Sequence, residues 1–160
     1  MSIDEAHFRN VMGHFATGVT LVTGADRQGR PVGLTANALT SVSLDPPFLL
    51  VCVDRDSASL PVFLDTERFG VSILRAGQES LARRFSREDP EERFTDLEVR
   101  TGETGVPIVT GVLGWAECRL WKSVEAGDHY ILVGRVEECG VDDDGPPLVF
   151  FQGSFGTVSS

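Results

Sequence analysis

Residues 33–47 read GLTANALTSVSLDPP. With a period of two, the odd positions carry Thr35, Asn37, Leu39, Ser41 and Ser43, and the even ones Leu34, Ala36, Ala38, Thr40, Val42 and Leu44. In an extended chain successive side chains point to opposite faces. One face is therefore almost all short hydrogen-bonding groups, and the other is almost all apolar. A half-buried strand usually shows Lys, Glu or Arg to water, yet no charge occurs here before Asp45. Short uncharged donors suit close contact with a polar, electron-rich ligand. The same pattern also fits a Ser/Thr-rich edge strand stopped by Pro46-Pro47, and pattern alone leaves both readings open.

Around this segment the chain alternates short strands with turns. Asp4 to Phe15 has apolar residues three and four apart and predicts an amphipathic helix. Val19 to Thr23 predicts a strand, and Asp26 to Gly29 a turn. Val32 to Ser43 predicts one long strand that bends near Leu39–Thr40. FLLVCV, residues 48–53, is continuously apolar and predicts a strand buried on both faces. A helix capped by Ser57 or Ser59 follows, running to about Asp65. Phe69 to Leu74 predicts a strand and Gln78 to Phe85 a short helix. Arg87 to Gly105 lacks periodicity and predicts a long loop. Val112 to Val124 and His129 to Glu137 predict a hairpin, and Leu148 to Gln152 a final strand. Many strands, recurring hairpins and few helices point to a mainly β fold, a closed or nearly closed antiparallel barrel with peripheral short helices.

The totals bound the function. The chain has 160 residues, which predicts one domain over 1–160. Fourteen basic and twenty-four acidic residues give a net charge of −10, which disfavours nucleic acid as a partner. Cys52, Cys118 and Cys139 are widely spaced, so neither a disulfide framework nor a zinc cluster is expected. His7, His14 and His129 show no metal-ligand spacing. A signal-like N-terminus and an apolar run of about 18 residues are both absent, so no membrane association and a cytoplasmic location are expected. No GxGxxG, P-loop or GxSxG occurs.

Several segments together carry a likeness: FRNVMGHFATGVTLVT (8–23), GLTANALTSVSLDPPFLLVCVDRDS (33–57), FGVSIL (69–74), GQESLARRF (77–85), GDHYILVGRV (127–136) and PLVFFQGSF (147–155). In order and spacing the chain resembles the short flavin reductases of two-component flavin-dependent monooxygenases. The resemblance implies an FMN-binding split β-barrel of Greek-key order that forms a homodimer. It implies FMN or FAD in a groove, NADH or NADPH as reductant, and a separate oxygenase component that receives reduced flavin.

Residue by residue, the resemblance assigns Thr35, Ala36 and Asn37 to the isoalloxazine ring, and Ser41 and Ser43 to the ribityl and phosphate. Cys52, Val53, Asp54, Arg55 and Ser57 form a second flavin-lining segment. Arg84, with Arg83 or Arg87, is the candidate for the phosphate. Asp128 and His129 match the family's Gly-Asp-His motif, and His129 is expected to position the nicotinamide, with Thr17 and Gly18 in the same pocket. Plain structural roles stand beside these: a hairpin histidine bonded to Asp128, a buried small thiol at Cys52, solvated helix charges at Arg83 and Arg84, and core or dimer packing for Trp115 and Trp121. The expected function is an NAD(P)H:flavin oxidoreductase. The alternative is a non-catalytic flavin-binding or electron-carrier protein of the same fold.

Overall fold

The computed structural model describes residues 2–159. Helix α1 (Glu5–Gly13) leads into a two-residue strand β1 (Thr17–Gly18), then β2 (Thr20–Ala25), β3 (Pro31–Ala36), β4 (Leu39–Leu44) and β5 (Pro47–Asp54). Next come α2 (Leu60–Thr66), β6 (Arg68–Ile73), α3 (Glu79–Arg87) and a 3-10 turn at Pro90–Glu92. Strands β7 (Val99–Thr101), β8 (Pro107–Val109), β9 (Gly114–Ala126), β10 (His129–Val141), β11 (Val149–Phe151) and β12 (Ser154–Gly156) complete the chain.

Seven strands form one antiparallel sheet in the order β3-β2-β6-β9-β10-β5-β4. Its two edges, β3 and β4, are not hydrogen-bonded to each other, so the curled sheet is a split barrel. The chain leaves β5 through α2 and returns at β6, three strands away in the sheet, which gives the Greek-key order.

The barrel interior is filled by Val22, Val51, Val53, Phe63, Phe69 and Leu132, all fully buried. Each such side chain contributes about 1.5–3 kcal/mol on leaving water. Gly134 is required for this packing, because a Cβ there would lie 2.6 Å from Phe69 Cζ. A second cluster, with Leu21, Leu74, Phe85, Val109, Val112 and Leu148, lies on the outer face of β2 beneath α3 and the β7–β8 hairpin. That hairpin is clamped through Thr104. The buried Glu117 carboxylate accepts from its N–H at 3.0 Å and its hydroxyl at 2.8 Å, and Arg68 donates to its carbonyl at 2.7 Å.

Three sequence expectations change. Burial on both faces occurs in β2, whose Leu21 and Val22 serve the two clusters, and along Phe69–Ser72 of β6. In β5 only Val51 and Val53 are fully buried, with half-buried residues between and before them. The long strand at 32–43 is two strands broken at Asn37-Ala38, with the irregularity between Ser41 and Ser43. The expected loop after Arg87 contains β7, which pairs with β8 and covers the outside of β2 and β6. Pieces as short as VRT and PIV carry no periodic signal, so only docking reveals them.

Candidate functional site

A groove of about 510 Å³ opens at the seam where β3 has no strand partner on its outer side. One wall is Leu34–Ala38, the floor is Cys52, Asp54, Asp56, Ser57 and Ala58, and the far wall is Phe85, Ser86, Pro90 and Arg93, with His129 at one end. Since β3 pairs only with β2, half of its backbone N–H and C=O groups point away from the sheet. The Thr35 hydroxyl donates to the Ala82 carbonyl at 2.6 Å, which fixes β3 against α3. The buried Thr20 hydroxyl donates to the Ala36 carbonyl at 2.6 Å from the other side. Gly33 lies under two rings: a Cβ there would stand 2.9 Å from Phe85 Cε2 and 3.2 Å from Phe94 Cζ.

His129 begins β10, opposite Asp54 of β5. The turn before it, Gly127-Asp128, needs the left-handed backbone that Gly127 adopts at φ 64°. His129 Nδ1 lies 2.8 Å from Asp128 Oδ1, and this hydrogen bond holds the Asp128 carboxyl below the usual carboxylate range. The Arg55 N–H donates to the Asp128 carbonyl at 2.9 Å, joining the Asp54–Ser57 turn to the hairpin turn. In that turn the Asp56 N–H donates to Asp54 Oδ1 at 2.8 Å.

The groove thus gathers Thr35, Ala36, Asn37, Cys52, Asp54, Ser57 and His129. Burial pushes the Cys52 thiol pKa up, so it stays a neutral packing group. Other candidates sit elsewhere. Val53 points into the barrel and is fully buried. Ser41 and Ser43 lie on β4, Arg55 in the turn after β5 and Asp128 in the turn between β9 and β10; none of the four lines the groove. Thr17 and Gly18 belong to the small β1-β11-β12 sheet; the Thr17 hydroxyl is buried with no hydrogen-bond partner among the described residues. Arg84 faces away and donates to the Thr95 carbonyl at 3.0 Å. Arg83 pairs with Glu79 at 2.6 Å and lies over the Phe155 ring.

The cation in the groove is Arg93, which sequence reasoning missed. Its Nη1 donates to the Gly33 carbonyl at 2.7 Å and its Nε to the Glu88 carbonyl at 3.1 Å. Burial lowers its pKa, and the nearby Asp89 carboxylate works against that shift. The only signal in the sequence was Arg93 followed by Phe94 within an otherwise aperiodic stretch.

The split barrel brings an uncharged strand edge, one half-buried guanidinium and an oriented imidazole to one groove, the arrangement of a small-molecule-binding protein. The chain belongs to the flavin reductase-like domain family, which matches residues 12–159. It is 39% identical over 155 residues to a flavin reductase of Pseudomonas putida, covering 97% of this chain and 91% of that protein. It is 41% identical over 152 residues to the FMN reductase (NADH) SmoA of Agrobacterium fabrum, covering 95% and 85%. Among solved structures, BorF, the flavin reductase component of a bacterial two-component tryptophan halogenase, superposes with a TM-score of 0.90 at 38% identity, covering 98% of this chain and 99% of that one. Some curated relatives are longer: the chain spans 42% of one protein of Rhizobium meliloti and 57% of another.

Proposed function

We propose that this protein is an NAD(P)H:flavin oxidoreductase that reduces FMN or FAD and supplies the reduced flavin to a separate oxygenase component. The observation that carries the reading is the convergence of the free β3 edge, Arg93 and His129 on one groove. Relatives named as NADH-dependent FMN and flavin reductases support it.

The residues fit such a ligand. The backbone groups that β3 turns away from β2 complement the carbonyls and ring nitrogens at the edge of an isoalloxazine. Ala36 and Ala38 let the backbone approach the ring closely. Arg93 has guanidinium N–H groups beyond the two used on carbonyls, and these suit a phosphate. When bound, the two cofactors supply hydride transfer between nicotinamide and flavin ring. The protein contributes orientation, an effect worth roughly 7–11 kcal/mol where the geometry is close to that of attack. His129, held at Nδ1 by Asp128, presents its other nitrogen to hold a nicotinamide, and it moves no proton. Steady-state oxidation of NADH and NADPH with FMN or FAD tests this; turnover by no pair overturns it.

The protein works as a homodimer. Helix α1 buries none of its residues, leaving Phe8 57% exposed; just beyond it Phe15 is 66% exposed, and Leu44 on β4 is 93% exposed. Trp121, stacked on Phe48, is a further exposed apolar side chain. A second copy is the natural cover, and light scattering that returns a monomer at micromolar concentration overturns it. No helix among the described residues is long and apolar enough to cross a membrane. Together with three free cysteines this supports a cytoplasmic setting.

A further inference from the structure

We infer that a hollow beside the flavin groove is an adenosine subsite that selects FAD over FMN. The inference rests on the flavin reading and extends it. The hollow, about 640 Å³, lies against the other face of α3, where Ser80, Arg84 and Arg87 recur at helical spacing. Only the segment around Ser86–Pro90 separates it from the groove. Ser86 and Pro90 line the groove, and Arg87, Glu88 and Glu92 line the hollow. Arg93 joins the two, since its Nε is held by the Glu88 carbonyl while its side chain lies in the groove. A pyrophosphate placed at Arg93 therefore has the hollow next along its path.

The chemistry of the hollow fits adenosine better than a phosphate. Arg83, Arg84 and Arg87 are balanced by Glu88, Glu92 and Asp96, so the lining carries no net charge. A neutral, polar, aromatic group matches such a lining, with carboxylates to accept from ribose hydroxyls or the adenine amine. A guanidinium plane stacks on an aromatic ring. Arg84 suits this role. Its Nη1 is anchored on the Thr95 carbonyl, and among the described residues no carboxylate lies within ion-pair distance of it. Arg83 is already engaged by Glu79.

The test measures dissociation constants for FMN and FAD by quenching of flavin fluorescence. Arg84→Ala is expected to weaken FAD about 10-fold relative to FMN, a change of roughly 1.4 kcal/mol in selectivity. Arg84 also tethers Thr95, so a second variant, Ser80→Phe, fills the hollow without touching that tether; it is expected to lower the FAD-to-FMN affinity ratio in the same direction. Equal losses for both flavins, or no change in the ratio in either variant, overturn the adenosine subsite. Failure of the unaltered protein to bind either flavin overturns the flavin reading itself, which is a separate result.

Discussion

Arg93 Nη1 reaches the carbonyl of Gly33 at 2.7 Å, across 60 residues of sequence. This bond ties the aperiodic stretch after α3 to the start of the strand that walls the groove. It puts a guanidinium on the wall of the groove and closes one side of the seam. The arginine pair on α3 lies outside this groove, with Arg83 held by Glu79 and Arg84 by the Thr95 carbonyl.

Arg93→Ala should weaken FMN by roughly 10- to 100-fold, the worth of a charge-assisted hydrogen bond. Riboflavin, which lacks the phosphate, should be affected far less. Titration of both by fluorescence quenching checks this. Equal losses for the two ligands would show that Arg93 only braces Gly33.

His129→Ala should raise KM for the nicotinamide substrate by about 10-fold through lost positioning. Flavin affinity should stay within about twofold. Because the role is orientation, the pH profile of kcat should keep its shape. A profile that loses a limb in the variant would instead make His129 a proton carrier.

Gly134→Ala should cost about 1–3 kcal/mol by overpacking. The added methyl would meet Phe69 Cζ at 2.6 Å and Cys118 Cβ at 2.7 Å. Thermal unfolding should fall by roughly 2–4 °C per kcal/mol for a chain of this size. Gly156→Ala, with nothing near its Cβ position, is the control.

Burial pushes the Cys118 thiol up to about 12, aided by the nearby Cys139, Glu117 and Glu137. An acid whose pKa is raised in the fold destabilises it wherever the unfolded chain releases the proton. Stability should therefore be intact below pH 9, the ordinary thiol value, and decline between 9 and 12. The slope should approach about 1.4 kcal/mol per pH unit from this group. Denaturant melts of Cys118→Ala should show a shallower decline over that window. In the native protein a thiol reagent at pH 8 should label the exposed Cys139 and leave Cys118 unmodified.

Local chemistry made part of this protein legible from its sequence. Alternation identified β9, its return strand identified β10, apolar spacing identified α1, and Gly127-Asp128 marked the hairpin turn. Alternation alone left 35–37 open between a ligand wall and an edge strand; the resemblance assigned Thr35, Ala36 and Asn37 to a ligand, and all three line the groove. Tertiary structure decided the rest. Burial of both faces of β2 depends on what packs outside it, and β2's own residues resemble those of β5. The three-residue strands β7 and β8 exist only as a pair clamped by Glu117 and Arg68 through Thr104. Which hydroxyls face the ligand depends on the break at Asn37-Ala38. That break leaves Thr35 on the groove wall and carries Ser41 and Ser43 onto β4, away from it. The choice of Arg93 over Arg84 is likewise long-range. Side chains nine residues apart near one helix carry the same charge, and only the path of the chain past Gly33 sets which of them enters the groove.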